Sequence, residues 1–232
     1  MIQRTEFDVV ANHYEAALDR GISVSGETKD YFAKARIVWL AKQLNQLNRV
    51  PGAILDYGCG IGSAAPFFNQ CFPLAKFLGL DTSSRSLQEA RRLNCDTSST
   101  FLNCVEYQPV GAIDLAFCNG VFHHILPEHR PGTIDYIHRS LRPGGLFAFW
   151  ENNPWNPGTR YVMSRIPFDR DAITLTPPEA ARLLQRGGFE ILRRDSLFYF
   201  PKQLKWLRSV EPYLSGLPLG GQYQVLCRKP RM

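Results

Sequence analysis

The run Asp56-Tyr57-Gly58-Cys59-Gly60-Ile61-Gly62 concentrates more chemistry-bearing residues than any other stretch of the chain. Two apolar residues, Ile54 and Leu55, run into an acid, and glycines follow at alternate positions. Glycine is needed where backbone takes positive φ, or where a ligand comes too close for a Cβ. A strand that stops, turns through glycine and opens a helix also aims free N–H groups at whatever lies over the turn. The Asp56 carboxylate adds the opposite polarity, an acceptor for an ammonium or a hydroxyl. Together these residues describe a site for a nucleotide-type cofactor. Gly60, Gly62 and Ala65 also satisfy the dinucleotide pattern G-x-G-x-x-G/A, with Asp81 about 20 residues on. A tight turn with no ligand is the plain alternative, and the rest of the chain has to decide.

The elements that must position this loop alternate in type. A strand over Ala53–Asp56 precedes it, and a helix through Ser63–Phe68 follows and ends near Phe72. Lys76–Asp81 reads as a second strand, followed by a helix through Leu87, Ala90 and Leu93 with Thr82 or Ser83 as its N-cap. Further strands are expected at Thr100–Cys104, Ala112–Cys118 and Leu146–Trp150, with a helix around Thr133–Leu141. Pro177–Arg186 reads as a helix stopped by Gly187-Gly188, and Phe189–Arg193 and Tyr223–Arg228 as the last strands. Strands spaced by helices in this way predict an α/β fold with a doubly wound, Rossmann-like sheet. Ahead of it, residues 1–50 read as an N-terminal helical cap of the same domain, which continues over 51–232. Phe7, Val10, Tyr14 and Leu18 recur at helical spacing, a Gly/Ser break runs from Gly21 to Gly26, and a second helix covers Tyr31–Leu47.

At 232 residues and 26.4 kDa the chain can bury one good core but not two full enzyme domains. Its mean hydropathy of −0.21 is ordinary for a globular protein. The net charge is +6, but the basic residues are scattered, so a nucleic-acid partner is not expected. Six cysteines without a CxxC pair suggest neither a disulfide framework nor a zinc site, and no metal is expected. Reduced thiols point to a cytoplasmic protein. Neither a signal-peptide core nor a membrane span is read in the chain.

Five blocks carry a more specific signal: Asp56–Gly62, Gly79-Leu80-Asp81, Ile113-Asp114-Leu115, Val121-Phe122-His123-His124 and Leu141-Arg142-Pro143-Gly144-Gly145. In order and spacing they resemble the class I S-adenosylmethionine (SAM) dependent methyltransferases, from about residue 50 onward. The small-molecule branch that includes ubiquinone and menaquinone enzymes is the most similar. Gly58 and Asp56 extend the glycine pattern to D-x-G-x-G-x-G, which disfavours the rival reading of an NAD-dependent oxidoreductase. The resemblance implies a seven-stranded sheet with its last strand antiparallel, SAM as cofactor and S-adenosylhomocysteine as product. It also implies methyl transfer to a small-molecule acceptor, at oxygen first, with nitrogen and carbon as alternatives. An RNA or protein methyltransferase, or a SAM-binding regulatory protein without turnover, are the other readings. The acceptor and the oligomeric state are not legible.

Carried over position by position, Gly58, Cys59, Gly60 and Gly62 would line the methionine and ribose part of SAM, and Asp56 would face its amino group. Asp81 would accept both ribose hydroxyls, with Thr82 beside it. Asn103, where the family often has aspartate, and Cys104 would lie at the adenine. Asn119 would bring its backbone near the sulfonium. A cap over such a site calls for an aromatic lid and a cation for the methionine carboxylate, for which Tyr14 and Arg36 are the candidates. His123 is the candidate general base and pocket residue, Glu151 its competitor, and His124 reads as structural. Trp155, Tyr161 and Tyr199 are expected to build the substrate wall.

Overall fold

The computed structural model describes residues 25–95, 99–166, 169 and 172–231. Tyr14 and the helix expected over residues 7–18 lie outside the described residues. Helix α1 (Lys29–Gln46) leads into strand β1 (Ala53–Tyr57), helix α2 (Ala65–Cys71), β2 (Lys76–Asp81), α3 (Ser84–Leu93) and β3 (Ser99–Asn103). After β4 (Ile113–Asn119) come a 3-10 turn at Phe122–His124, α4 (Arg130–Ser140), β5 (Leu141–Asn152) and α5 (Pro157–Arg165). The chain then runs through α6 (Pro177–Arg186), β6 (Glu190–Leu197), a 3-10 segment Lys202–Val210, α7 (Glu211–Leu214) and β7 (Gln222–Arg228).

The strands form one seven-stranded sheet in the order β3-β2-β1-β4-β5-β7-β6. Neighbours from β3 to β5 run parallel, while β7 inserts antiparallel between β5 and β6. Strands covered on both faces read as continuous apolar runs, and β4 and β5 do so. One face packs Ile54, Phe77, Phe117 and Trp150 under Ile37 and Leu40 of α1, Phe68 of α2 and Leu87 of α3. The other packs Leu55, Ala116, Phe147 and Val225 under Ile134 of α4 and Leu184 of α6. Each Ile, Leu, Val or Phe side chain among them, fully buried, contributes about 1.5–3 kcal/mol.

Capping chemistry fixes where the helices start. Ser83 accepts from Ser86 N–H at 3.2 Å to cap α3, and Asn156 accepts from Thr159 N–H at 2.9 Å to cap α5. Thr176 and Glu179 close a capping box on α6. Strand β5 begins at Leu141, earlier than the expected Leu146, because Leu141 already pairs with Ile113 across a register shift. Helix α5 and the 3-10 segment are additions to the sequence expectation. Helix α1 has two roles: its C-terminal half packs on the sheet, and its first turns face the cavity described next.

Candidate functional site

The five parallel strands bring their carboxyl ends to one edge, which places Asn103, Asp81, Asp56, Asn119 and Glu151 in a row. The glycine loop hangs from this edge through Gly58 N–H and Cys59 N–H, which donate to Leu80 O at 2.7 and 2.9 Å. Gly58, Gly60 and Gly62 all take positive φ, at 74°, 53° and 76°. They are glycines for different reasons. A Cβ on Gly58 would stand 2.4 Å from Val121 Cγ2, and one on Gly62 would stand 2.9 Å from the Phe101 ring. A Cβ on Gly60 would meet nothing within 4 Å. Packing therefore demands the outer two glycines, while the middle one presents bare backbone to open space, the form of a ligand cradle.

Asp81 ties this cradle down. Its Oδ2 accepts from Gly60 N–H and its Oδ1 from Ser83 N–H, both at 2.8 Å. A carboxylate oxygen accepts more than one hydrogen bond, so ligand hydroxyls still fit here. Asp56 is buried, and burial, reinforced by the nearby Asp81 charge and opposed by Arg36, pushes its carboxyl up to about 7. Arg36 is buried too, which lowers its guanidinium to about 10 against the pull of Asp56, so it stays charged at neutral pH. Arg36 Nη1 donates to Gln222 Oε1 at 2.8 Å, while its Nε is buried without a hydrogen bond. Asn119 Oδ1 is a second buried polar atom with no hydrogen bond. Such atoms are costly unless a ligand satisfies them. Glycine cradle, acid pair and orphaned donor and acceptor together fit a cofactor bearing an ammonium, a carboxylate and a diol.

At the end of the strand edge where adenine is expected, the residues are already engaged. Asn103 Nδ2 donates to Thr82 O and its Oδ1 accepts from Val105 N–H, both at 3.1 Å. Thr82 is exposed. The half-buried Cys104 thiol is pushed up to about 12 by burial and the Asp81 charge, and the buried Cys59 thiol is raised by burial, so both are neutral sulfhydryls.

Beside the loop lies a cavity of about 450 Å³. Its walls come from α1 (Tyr31, Phe32, Arg36), the turn after β4 (Asn119, Gly120, His123, His124), α5 (Tyr161, Met163) and the stretch after β6 (Phe198, Tyr199). Phe198 holds a left-handed backbone at φ 66°, which sets its ring edge-on to Phe32 with centroids 4.9 Å apart. A strained non-glycine residue of this kind marks a position fixed by its surroundings. Arg208 lies 4.7 Å from the Tyr31 ring centre and pairs with Glu27 at 2.7 Å. Trp155, expected in the substrate wall, is 46% exposed and does not line the cavity. Its backbone N–H donates to Asn153 Oδ1, and Asn153 is itself fixed by Pro218 O and Gly220 O, so Trp155 stays outside the cavity while its loop neighbours Asn152 and Asn156 line it.

The two histidines are placed by backbone contacts. Arg130 Nε donates to Phe122 O and Ile125 O around the turn, and Ile173 N–H donates to His123 O at 2.9 Å. His123 Nδ1 lies 2.6 Å from Glu151 Oε2, and His123 Nε2 lies 3.5 Å from Asp169 Oδ1. Burial opposes charge on His123, but the carboxylates of Glu151 and Asp169 outweigh it and carry the ring up to about 10. Burial and the neighbouring His123 carry His124 down to about 4. With carboxylates at both ring nitrogens, His123 has no free nitrogen ready to take a proton. Glu151 accepts from Phe122 N–H at 2.7 Å and does not line the cavity, so its geometry is that of an anchor. Asp169 had no signal in the sequence, since it lies far along the chain from the histidines it meets.

Comparison with known proteins agrees with this architecture. Residues 55–147 match the family model of a methyltransferase domain. A curated relative from Methylobacterium nodulans, trans-aconitate 2-methyltransferase, is 31% identical over 133 residues, covering 57% of this chain and 48% of its own length. The chain thus spans about half the length of the curated relatives it matches. A SAM-dependent methyltransferase from Thermotoga maritima superposes with a TM-score of 0.68 at 20% identity, covering 96% of this chain and 97% of its own. The plantazolicin methyltransferase BamL, solved with S-adenosylhomocysteine (SAH), superposes with a TM-score of 0.65 at 16% identity over 97% of this chain and all 100% of its own. Among the described residues no helix is long and apolar enough to cross a membrane. Residues 55–147 thus match a methyltransferase domain, and the glycine loop and sheet order around them belong to the fold that these solved methyltransferases share.

Proposed function

We propose that this protein transfers a methyl group from SAM to an oxygen of a small anionic molecule. The observation that carries this reading is the cavity of about 450 Å³, within the range of small-molecule sites, lined by Asn119 and Gly120 from the strand edge that carries the glycine loop. Its aromatic walls suit an organic body. Arg36, a buried cation in the wall, suits an acid group either on the acceptor or on the methionine end of the cofactor. Curated relatives named for trans-aconitate, a small polycarboxylate, support an acceptor of this class.

Bound SAM supplies an electrophilic methyl on a sulfonium. The chain holds it with the Gly58–Gly62 cradle, the Asp81 carboxylate, Asp56 and Arg36. Phe32, Phe198 and Tyr199 shut water away from the acceptor, which leaves its oxygen poorly solvated and reactive. Asn119 and Gly120, at the end of β4, lie in the same wall. A carboxylate or phenolate oxygen is nucleophilic without losing a proton, so positioning and desolvation carry the reaction and no base is required. Incubating the protein with SAM and a panel of small carboxylates and phenols, read by mass spectrometry, tests this. One product heavier by a methyl group, with SAH formed in equal amount, supports the reading. Methylation of RNA or protein alone would replace it.

A further inference from the structure

We propose that His123 Nε2, His124 Nε2 and Asp169 Oδ1 form a binding site for a divalent transition-metal ion in the wall of the cavity. Glu151 would be the outer carboxylate that orients the first ligand. The three donor atoms lie within 4.8 Å of one another. Asp169 Oδ1 stands 3.5 Å from His123 Nε2 and 3.4 Å from His124 Nε2. Bonds of about 2.0–2.2 Å in a tetrahedral zinc site separate neighbouring donors by about 3.4 Å. Two edges of the ligand triangle therefore already have the right length, and the third is no longer than 4.8 Å.

Three independent features suit an ion more than a chance cluster. Asp169 is 8% exposed and its Oδ1 makes no hydrogen bond, although two imidazole nitrogens face it. In the ion-free protein a proton on His123 balances this charge, and a metal ion would replace that proton. The second feature is the 2.6 Å contact between His123 Nδ1 and Glu151 Oε2. A carboxylate on the far nitrogen is the usual partner of a metal-bound histidine, since it fixes the ring and leaves Nε2 with its lone pair toward the metal. The third is that nothing in the scaffold waits for the ion. Ile173 N–H donates to His123 O, and Arg130 donates to Phe122 O, Ile125 O and Ile173 O, which locks the histidine turn to the segment beyond Asp169.

All three ligands line the cavity, so the fourth position opens toward the acceptor. Three protein ligands with an open vertex is the arrangement of reactive rather than structural zinc sites. Two imidazoles and one carboxylate select zinc and its neighbours over magnesium or calcium. The fourth ligand would be water or an oxygen of a bound acid. The expectation of a metal-free protein rested on cysteine spacing, and this site uses no cysteine. It stands or falls independently of the methyl-transfer reading, because its test measures metal and not turnover.

Tag-free full-length protein, stripped with chelator, would be titrated with zinc by calorimetry and with cobalt by visible absorption. One ion per chain is expected, with the d–d bands of a low-coordinate cobalt site and no sulfur charge-transfer band. Asp169→Asn and His124→Gln should each abolish the bands, and Glu151→Gln should weaken binding by about 10–100-fold. Circular dichroism of each stripped variant separates loss of ligand from loss of fold. Absence of saturable one-to-one binding would overturn the proposal and leave a proton-bridged imidazole–carboxylate cluster. So would cobalt bands that survive Asp169→Asn and His124→Gln.

Discussion

Substituting the three loop glycines separately distinguishes a ligand contact from a packing contact. Gly60→Ala adds a Cβ that meets no protein atom within 4 Å, so its only penalty to the free protein is backbone strain at φ 53°. A side chain in the left-handed region costs about 1–2 kcal/mol, which lowers Tm by about 2–8 °C in a chain of this size. Gly58→Ala and Gly62→Ala carry the same strain, and their Cβ atoms also fall 2.4 Å from Val121 and 2.9 Å from Phe101. Overpacking of that kind adds about 1–3 kcal/mol. Scanning fluorimetry should therefore rank Gly60→Ala as the mildest of the three. Calorimetric titration with SAM should show the reverse of mild: affinity reduced by about tenfold or more, or at least about 1.4 kcal/mol. If Gly60→Ala binds SAM as tightly as the parent protein, the open face of the loop is not where the cofactor lies. A Tm loss equal to that of Gly58→Ala would refute the steric argument itself.

Three further expectations concern the charges around the loop. Asp56, held at about 7 by burial and the Asp81 charge and faced by Arg36 from α1 and by the Cys59 and Cys118 thiols, keeps a proton that the unfolded chain releases. Its contribution to stability is thus largest in acid and declines as pH climbs from about 4 to about 7. An ammonium beside it favours the ionised form, so SAM affinity measured from about pH 5.5 to about 8.5 should rise to a plateau near 7, and Asp56→Asn should flatten that rise. Asp81→Asn loses the charge that accepts Gly60 N–H and Ser83 N–H, and SAM affinity should fall by about tenfold or more; unchanged affinity in a folded variant places Asp81 outside the cofactor site. Arg36→Met keeps the apolar stem and removes a buried charge, so Tm should hold or rise while SAM affinity falls, and equal affinity would remove Arg36 from the site.

Much of the sheet was legible because apolar runs between turn residues have few other readings. The β2 bounds, Lys76–Asp81, and the α6 bounds, Pro177–Arg186, match the sequence expectation residue for residue. The 3-10 segment Lys202–Val210 was not legible for a physical reason: its apolar positions Leu204, Leu207 and Val210 form only a short stripe, and none of its residues is buried. Helix α5 is short, starts at Pro157 inside a loop-like stretch and buries only Met163, which gives the same difficulty. At the site, Asp81 and the glycines announced themselves by type and spacing, whereas Asp169 and Gln222 did not. Long-range pairs such as His123 with Asp169, or Arg36 with Gln222, are created by the fold and leave no local pattern. Helix α1 shows a mixed outcome: its aromatics were legible as an apolar stripe, but only the fold divides them between sheet and cavity.

The antiparallel insertion of β7 has a consequence for how this molecule is made on the ribosome. Strand β6 emerges well before β7, yet in the finished sheet β7 is the neighbour that joins β6 to β5. Until β7 is translated, β5 is a bare margin of a five-stranded nascent sheet, a template on which foreign strands can add. Gln222, the first residue of β7, is also the group that holds Arg36 and, through its Nε2, Asn152. A nascent chain therefore cannot complete this wall of its cavity until β7 has left the ribosome, and ligand capture must wait for that strand however early the glycine loop has folded.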